Sequence, residues 1–285
     1  MKVSGFTILR DGARLGYPFV ESIQSLLPLV DEMVIAVGNC TDETPAMLRA
    51  IGSPKIRAFD TVWDPALQKG GKVLAVETNK ALAACTGDWC FYLQGDEVVH
   101  EQDYDLLRDA MERYLDKPEV EGLSFRYHHF KGSFDLRDPL PYRKQVRIVR
   151  SGVGVVSVGD ACGFGVTTAT GTRKLHTVAS GAWIYHYGWV RPPRVMNQKH
   201  SEFLRYYNGD EGGGLKQAER QVAEDYAYDV SRCEPFRGTH PAIMRERVAA
   251  QDWSAPYQYV PRWRNRAYWD GFMRKNFASL YRWAS

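Results

Sequence analysis

Paired cysteines are missing from this chain: its five cysteines (Cys40, Cys85, Cys90, Cys162, Cys233) are an odd number with no CxxC among them. That argues against a disulfide framework or a zinc knuckle and makes a reducing, cytoplasmic setting the expected one. Long hydrophobic runs are missing too. No apolar stretch approaches the roughly 20 residues that cross a bilayer, and residues 175–190, which lack Asp, Glu, Lys and Arg, are interrupted by His176, Ser180, Gly181 and His186. Met1-Lys2 leads straight into an apolar stretch that Arg10-Asp11 stops, too short for a signal peptide, so no leader is expected. Surplus charge is scarce: 37 Lys+Arg against 34 Asp+Glu leave +3, which gives no reason to expect a nucleic-acid partner. Lys69-Gly-Gly-Lys72 has no Gly-Lys-Ser/Thr after a longer loop, so a P-loop is excluded.

What is present is a hydrophobic fraction of 44% over 285 residues, enough for one large α/β domain with an appendage. Strands are predicted at Val3–Leu9, Met33–Val37, Lys55–Phe59 and from Trp89 onward. Helical stripes lie between them: Phe19, Ile23, Leu26/Leu27 and Val30; a short helix from Thr44-Pro45 with Thr44 as N-cap; and Val73, Val76, Ala81 and Ala84. This alternation predicts βαβ units and a mainly parallel sheet. A helix over 104–115 and further strands at 122–130 and 145–149, the latter two as an antiparallel pair, follow. Residues 152–171 are rich in glycine and valine and have no clear assignment. After Pro192-Pro193 the character changes, with helices predicted at 195–207 and 215–232 around a glycine-rich loop at 208–214. The expected division is a domain over 1–192 and a helical C-terminal extension over 193–285.

Ligands of such sheets bind beyond the carboxyl ends of the strands. The run Trp89-Cys-Phe-Tyr-Leu-Gln-Gly-Asp-Glu97 ends there in two carboxylates, placed either to meet a metal or diphosphate or to start the next helix. Val37-Gly-Asn-Cys-Thr-Asp42 leaves the second strand and opens a helix. Asn39 and Asp42 could bond a base or ribose there, or simply make a turn. His128-His129 lie on a predicted strand, so their side chains point to opposite faces.

In the order Val37-Gly-Asn-Cys-Thr-Asp42, Glu77-Thr-Asn79, Gly87-Asp-Trp-Cys-Phe-Tyr-Leu93 and Gln94-Gly-Asp96, the chain resembles the family 2 glycosyltransferases over about residues 1–190. The resemblance implies a GT-A fold, Rossmann-like and α/β, with a mainly parallel mixed sheet flanked by helices. It also implies a nucleotide-sugar donor, an acceptor hydroxyl on a glycan, lipid-linked or other molecule, inversion at the sugar carbon, and a divalent ion, Mn²⁺ or Mg²⁺. Asp96 and His186 are the implied metal residues, and Asn39, Asp42, Lys72 and Asn79 the implied nucleotide residues. Gln94 and Arg191 are placed at the donor sugar or diphosphate, and Asp160 is the provisional base with Glu97, His100 and Glu101 as competitors. Departures from the family pattern are Gly38 where an acid is common, Thr78 where an arginine is, and Gln94 where the first acid of Asp-x-Asp stands. A sugar-phosphate nucleotidyltransferase and a noncatalytic nucleotide-sugar-binding protein are the alternatives.

The last stretch, Tyr259–Ser285, carries six basic residues, one acid and eight aromatics. Trp269, Phe272/Met273, Phe277 and Leu280 share one helical face, which predicts core packing. The opposite, basic face could touch anionic lipid at the inner side of a membrane. Oligomeric state is not legible.

Overall fold

In the computed structural model, residues 1–67, 69–208 and 225–277 are described. Strands β1 (Val3–Leu9), β2 (Glu32–Val37) and β3 (Ile56–Asp60) are linked by helices α1 (Phe19–Leu26) and α2 (Thr44–Ala50), and α3 (Lys72–Ala83) delivers the chain into β4 (Trp89–Tyr92). All four run parallel, in the order β3-β2-β1-β4. The uninterrupted apolar run Met33–Val37 makes sense because helices cover both faces of the sheet. Successive residues take opposite sides: Ile35 and Phe91 pack with Phe19, Ile23 and Met111 on the α1 side, while Val34, Ala36 and Tyr92 pack with Phe6 and Ala81 on the α3 side. Each fully buried large apolar side chain contributes about 1.5–3 kcal/mol to such a core.

Beyond β4 come β5 (Glu97–Val99), α4 (Tyr104–Arg113), β6 (Gly122–Lys131), β7 (Ser133–Asp138), β8 (Lys144–Arg150), β9 (Val155–Val158), β10 (Gly163–Thr168), β11 (Gly171–Lys174) and β12 (Thr177–Trp189). β8 pairs antiparallel with β4, β6 antiparallel with β8, and β12 parallel with β6 and antiparallel with β5. The α/β class and the mixed sheet flanked by helices are therefore present, parallel over β1 to β4 and mostly antiparallel beyond, in the element order expected of a GT-A arrangement. The unassigned stretch 152–171 supplies β9 and β10, which with β11 form a separate three-stranded sheet.

Three local expectations need correction. Thr44 is not the N-cap of α2: Glu43 holds that place, and Asp42 Oδ1 accepts the Thr44 N–H at 3.0 Å, starting the helix one residue earlier. The second predicted C-terminal helix fails over residues 225–232, which are irregular. Tyr228 and Val230 pack there with Leu136, Met196 and Cys233, so apolar spacing reflected core contacts without helical phase; residues 215–224 lie outside the described residues. The last helix exists, Arg266–Asn276, but its aromatic face is not core. Trp269, Met273 and Phe277 are exposed while Tyr268 is buried; Leu280 lies outside the described residues.

The segment after residue 192 packs back on the sheet. α5 (Pro193–Asn208) lies near the carboxyl ends of the parallel strands, and β13 (Glu234–Pro235) adds to β7. Among the described residues no helix is long and apolar enough to cross a membrane.

Candidate active site

Strand order reverses between β1 and β4, the switch point at which open α/β sheets form a crevice. A cavity of about 260 Å³ opens there. Its walls come from the ends of β1 (Leu9, Arg10) and β4 (Tyr92, Gln94, Asp96), the loop after β3 (Trp63), the Asp160–Cys162 loop, β12 (His186, Trp189) and α5 (Lys199).

Asp96 sits at its floor, 6% exposed. Lys199 Nζ donates to its Oδ2 at 3.1 Å and to the Gly188 carbonyl at 2.6 Å. His186 Nε2 lies 3.7 Å from Oδ1, and Arg191 Nη2 3.8 Å from Oδ2. Burial by itself would raise the Asp96 carboxyl, but the neighbouring positive charge, that of Lys199 above all, holds it well below the usual carboxylate range. Burial pushes the Lys199 ammonium down to about 7, with Arg191 adding to the effect, and burial pushes His186 down to about 3. A methyl group at Gly188 would meet the His186 ring at 2.5 Å and Asp96 Oδ2 at 3.1 Å, so glycine keeps the space beside both side chains clear.

Glu97, adjacent in sequence, has the opposite fate. Its side chain is fully buried in a two-pronged ion pair with Arg147 (Nε to Oε2 2.7 Å, Nη2 to Oε1 2.7 Å) and accepts from Tyr127 Oη at 2.9 Å. It also accepts from Gln94 N at 3.2 Å, while Arg147 Nη1 donates to the Cys162 carbonyl at 3.0 Å. One buried pair thus locks the Asp96 turn to the Asp160–Cys162 loop. Glu97 is a scaffold carboxylate, which corrects its candidacy as a base: no substrate proton can reach it.

Four of the ten predicted site residues line the cavity: Gln94, Asp96, Asp160 and His186. Asp160 comes on a loop in which Ala161 has φ of +62°, a left-handed conformation that costs a non-glycine residue about 1 kcal/mol or more and marks constrained loops. Arg191 does not line the cavity. Buried behind it, Arg191 donates to the carbonyls of Leu15, Tyr187 and Gly188, its guanidinium over the Tyr17 ring. Its Nη2, without a hydrogen-bond partner among the described residues, adds field at Asp96 rather than a surface contact.

The four predicted nucleotide residues are not brought together. Asn79 is spent on the backbone of Ser157, accepting at 2.7 Å and donating at 3.1 Å, which pins β9 to α3. Asp42 accepts the Thr44 N–H at the start of α2 at 3.0 Å and the Arg14 N–H at 2.7 Å. Asn39 Oδ1 accepts Trp63 N at 3.3 Å, and Lys72 is an exposed residue at the start of α3. None lines the cavity. Of the competing bases, His100 bonds Thr239 and Glu101 accepts the Ala242 N–H, both away from the cavity. The departures at Gly38 and Thr78 have steric reasons. A side chain at Gly38 would strike Trp63 Nε1 at 2.6 Å, and Thr78 is fully buried with its hydroxyl 3.4 Å from Tyr92 Oη.

Lys199, Trp63 and Arg10 were missed. Lys199 is 103 residues from its partner Asp96 and sits in a helix whose amphipathic pattern places it only as a polar residue. Among the described residues, the one group that brings three possible ligand atoms within 4.8 Å of one another is Asp11, Cys40 and Asp42, away from Asp96. Asp11 Oδ1 accepts the Thr41 N–H at 2.7 Å and Cys40 Sγ the Asp11 N–H at 3.4 Å, so the group reads as a clasp between the loops after β1 and β2.

No protein-family model and no curated protein matches this chain. Solved structures similar to it include residues 1–349 of S. aureus TarS in complex with UDP, 13% identical, covering 78% of this chain and 70% of that one at a TM-score of 0.41. Glucosyl-3-phosphoglycerate synthase from Mycobacterium tuberculosis, with Mn²⁺, UDP and phosphoglyceric acid, is 19% identical over 46% of this chain and 44% of that one, TM-score 0.32. Mannosyl-3-phosphoglycerate synthase from Rubrobacter xylanophilus is 18% identical over 45% and 41%, TM-score 0.32. Likeness this distant transfers no substrate and no residue role.

Proposed function

We propose that the chain is a glycosyltransferase that moves a sugar from a nucleotide-diphosphate donor to an acceptor hydroxyl. The observation that carries this reading is Asp96, held ionised on the floor of a cavity at the β1/β4 switch point, with His186 and the Lys199 ammonium facing it. Departure of a nucleoside diphosphate concentrates negative charge, and preorganised cations in a partly dry cavity lower the barrier to it. Lys199 supplies one such charge from within the wall. Trp63 and Arg10, whose guanidinium lies 5.5 Å from the Trp63 ring centre, offer a flat surface for a nucleobase.

The divalent ion implied by the family resemblance would find two protein ligands at this site, beside the Lys199 ammonium that bonds the other Asp96 oxygen at 3.1 Å. Asp96 Oδ1 and His186 Nε2 would hold it, their 3.7 Å separation suiting two ligands of one small cation, and Gly188 keeps the space open. When bound, such an ion supplies further charge neutralisation for the diphosphate. Asp160 is the proposed base that takes the acceptor proton, and inversion is the stereochemistry that single displacement with such a base would give. Gln94, at the cavity wall beside Ala161, is the proposed contact of the donor sugar.

A place at a membrane face, with a lipid-linked acceptor, is the finer reading of the C-terminus. Trp263 (74% exposed), Trp269, Met273 and Phe277 project outward among Arg264, Arg266 and Arg274. Exposed aromatics ringed by basic groups suit an anionic lipid surface. Sedimentation with phosphatidylglycerol vesicles but not with phosphatidylcholine vesicles is the expected result; no difference between them removes this reading.

The test of the main reading is a thermal-shift screen of UDP, GDP, CDP and dTDP donors with and without Mn²⁺, followed by transfer assays with the donor that stabilises. Stabilisation without donor hydrolysis or transfer to any acceptor would identify a binding protein instead. Asp96→Ala with unchanged transfer would overturn the site.

A further inference from the structure

We infer that His129 is a positioning residue: through a two-bond relay it fixes the His186 ring in the tautomer whose Nε2 lone pair faces Asp96 and the cavity. The sheet register starts the argument. β6 and β12 run parallel with His129 directly beside His186, and the rings meet edge to face, 5.0 Å apart and 77° between planes. Their Nδ1 atoms are 3.0 Å apart, and His129 Nε2 is 2.8 Å from the Tyr142 carbonyl oxygen.

Proton positions follow from what each partner can do. A carbonyl only accepts, so His129 Nε2 carries the hydrogen. Its other nitrogen meets a ring nitrogen inside a wall where His129 is 5% exposed, and the neighbouring Asp138 carboxylate is taken up by Arg232 at 2.6 Å, so burial keeps the ring from holding a second proton. His129 Nδ1 is therefore a lone pair and can only accept. His186 Nδ1 must then be the donor, which leaves Nε2 of the neutral ring bare.

That bare nitrogen points toward Asp96 Oδ1 at 3.7 Å. Two lone-pair atoms facing each other across a cavity wall repel unless an electropositive group comes between them. An inserted cation, or the hydroxyl proton of a bound molecule, meets that requirement; a water-filled structural pair of His and Asp would instead carry the hydrogen on Nε2 and close to a direct bond. A ring nitrogen that donates away from the site so that its partner can ligate is the usual outer support of metal-binding histidine. The Tyr142 carbonyl belongs to the segment between β7 and β8, whose Leu140 and Pro141 carbonyls take Lys275 Nζ, so the relay is anchored from outside the cavity as well. Lys275 extends that anchoring to the C-terminal helix.

The inference rests on the proposed function only for what enters between Asp96 and His186; the tautomer can be read without turnover. The experiment is long-range ¹H–¹⁵N correlation on the full chain with ¹⁵N-labelled histidine, joined to Mn²⁺ titration by electron paramagnetic resonance without donor. Wild type is expected to show the His186 proton on Nδ1. His129→Phe keeps the ring stacked 5.1 Å from Tyr127 but removes the acceptor, so His186 should shift toward the Nε2-protonated form and Mn²⁺ affinity should fall about 10–100-fold. His129→Asn restores an acceptor near Nδ1 while losing ring volume, so it should recover the tautomer and most of the affinity although it is less stable. A purely structural His129 would show the reverse order of the two variants. An Nε2 proton in wild type, or a tautomer unchanged in His129→Phe, overturns the inference. Absence of Mn²⁺ binding in wild type with the expected tautomer would count against the metal part of the proposed function and leave the relay standing.

Discussion

Asp96 and Glu97 are adjacent residues with the same charge, yet they occupy different physical regimes. Glu97 is saturated: Arg147, Tyr127 and the Gln94 amide use both its oxygens at 2.7–3.2 Å. Asp96 has one short contact, to Lys199 at 3.1 Å, and two long ones, to His186 and Arg191 at 3.7 and 3.8 Å. A carboxylate that holds loops together spends its hydrogen-bonding capacity inside the protein. One that handles a ligand keeps some in reserve, among charges set to receive it.

Among substitutions, the largest loss of stability should come from breaking the saturated member. Glu97→Ala strands the fully buried Arg147 guanidinium, and removing one partner of such a pair costs about 3–5 kcal/mol; urea denaturation should show that loss, with transfer falling only as far as the folded fraction does. Asp96→Asn should reverse the pattern. Transfer should drop by about 100-fold or more, with a smaller change in the unfolding midpoint than Glu97→Ala produces. Comparable stability losses in the two variants would erase the distinction drawn between them.

A third expectation concerns acid. Burial lowers His129 to about 4 and His186 to about 3, from an ordinary value near 6.5, so the unfolded chain binds protons there that the folded chain does not. Their contribution is fully present above pH 6.5 and is lost as pH falls toward 4, by up to about 1.4 kcal/mol per pH unit for each ring. Melting temperatures between pH 7 and pH 4 should fall accordingly, and the fall should be shallower in His129→Asn. The smallest effect is set for Asp42→Ala. It removes a bond to the start of α2 and should cost about 1 kcal/mol while leaving nucleotide affinity unchanged, because Asp42 does not line the cavity.

Much of the framework was readable because its signals are local. The alternation of apolar runs and helical stripes over 1–115 depends on neighbours within one or two turns, and it placed four parallel strand ends and Asp96 correctly. Three of the residues singled out there do line the cavity: Gln94 and Asp96 follow the apolar run of β4, and His186 lies near the end of β12. The predicted nucleotide residues do not. Asn39, Asp42 and Asn79 have the chemistry of nucleotide contacts, but the same chemistry closes turns and pins strands, and only the position of the partner backbone separates the two uses. The exposed face of Trp269, Met273 and Phe277 failed as core for a related reason. Amphipathic spacing says that a face is apolar and not whether another element lies against it.

By itself, the order of residues determined the α/β alternation, the strand that runs out just before Gly95-Asp96 and the poor match of Gln94 to an acidic metal motif. The tertiary structure alone decided that Glu97 is locked in a buried ion pair while Asp96 faces the cavity, that Lys199 arrives from 103 residues away, and that His129 stands in register with His186. Hydrophobic pattern and turn chemistry act over a few residues. Charge pairing and strand register act through space, between segments whose separation in the chain carries no trace of their distance in the fold.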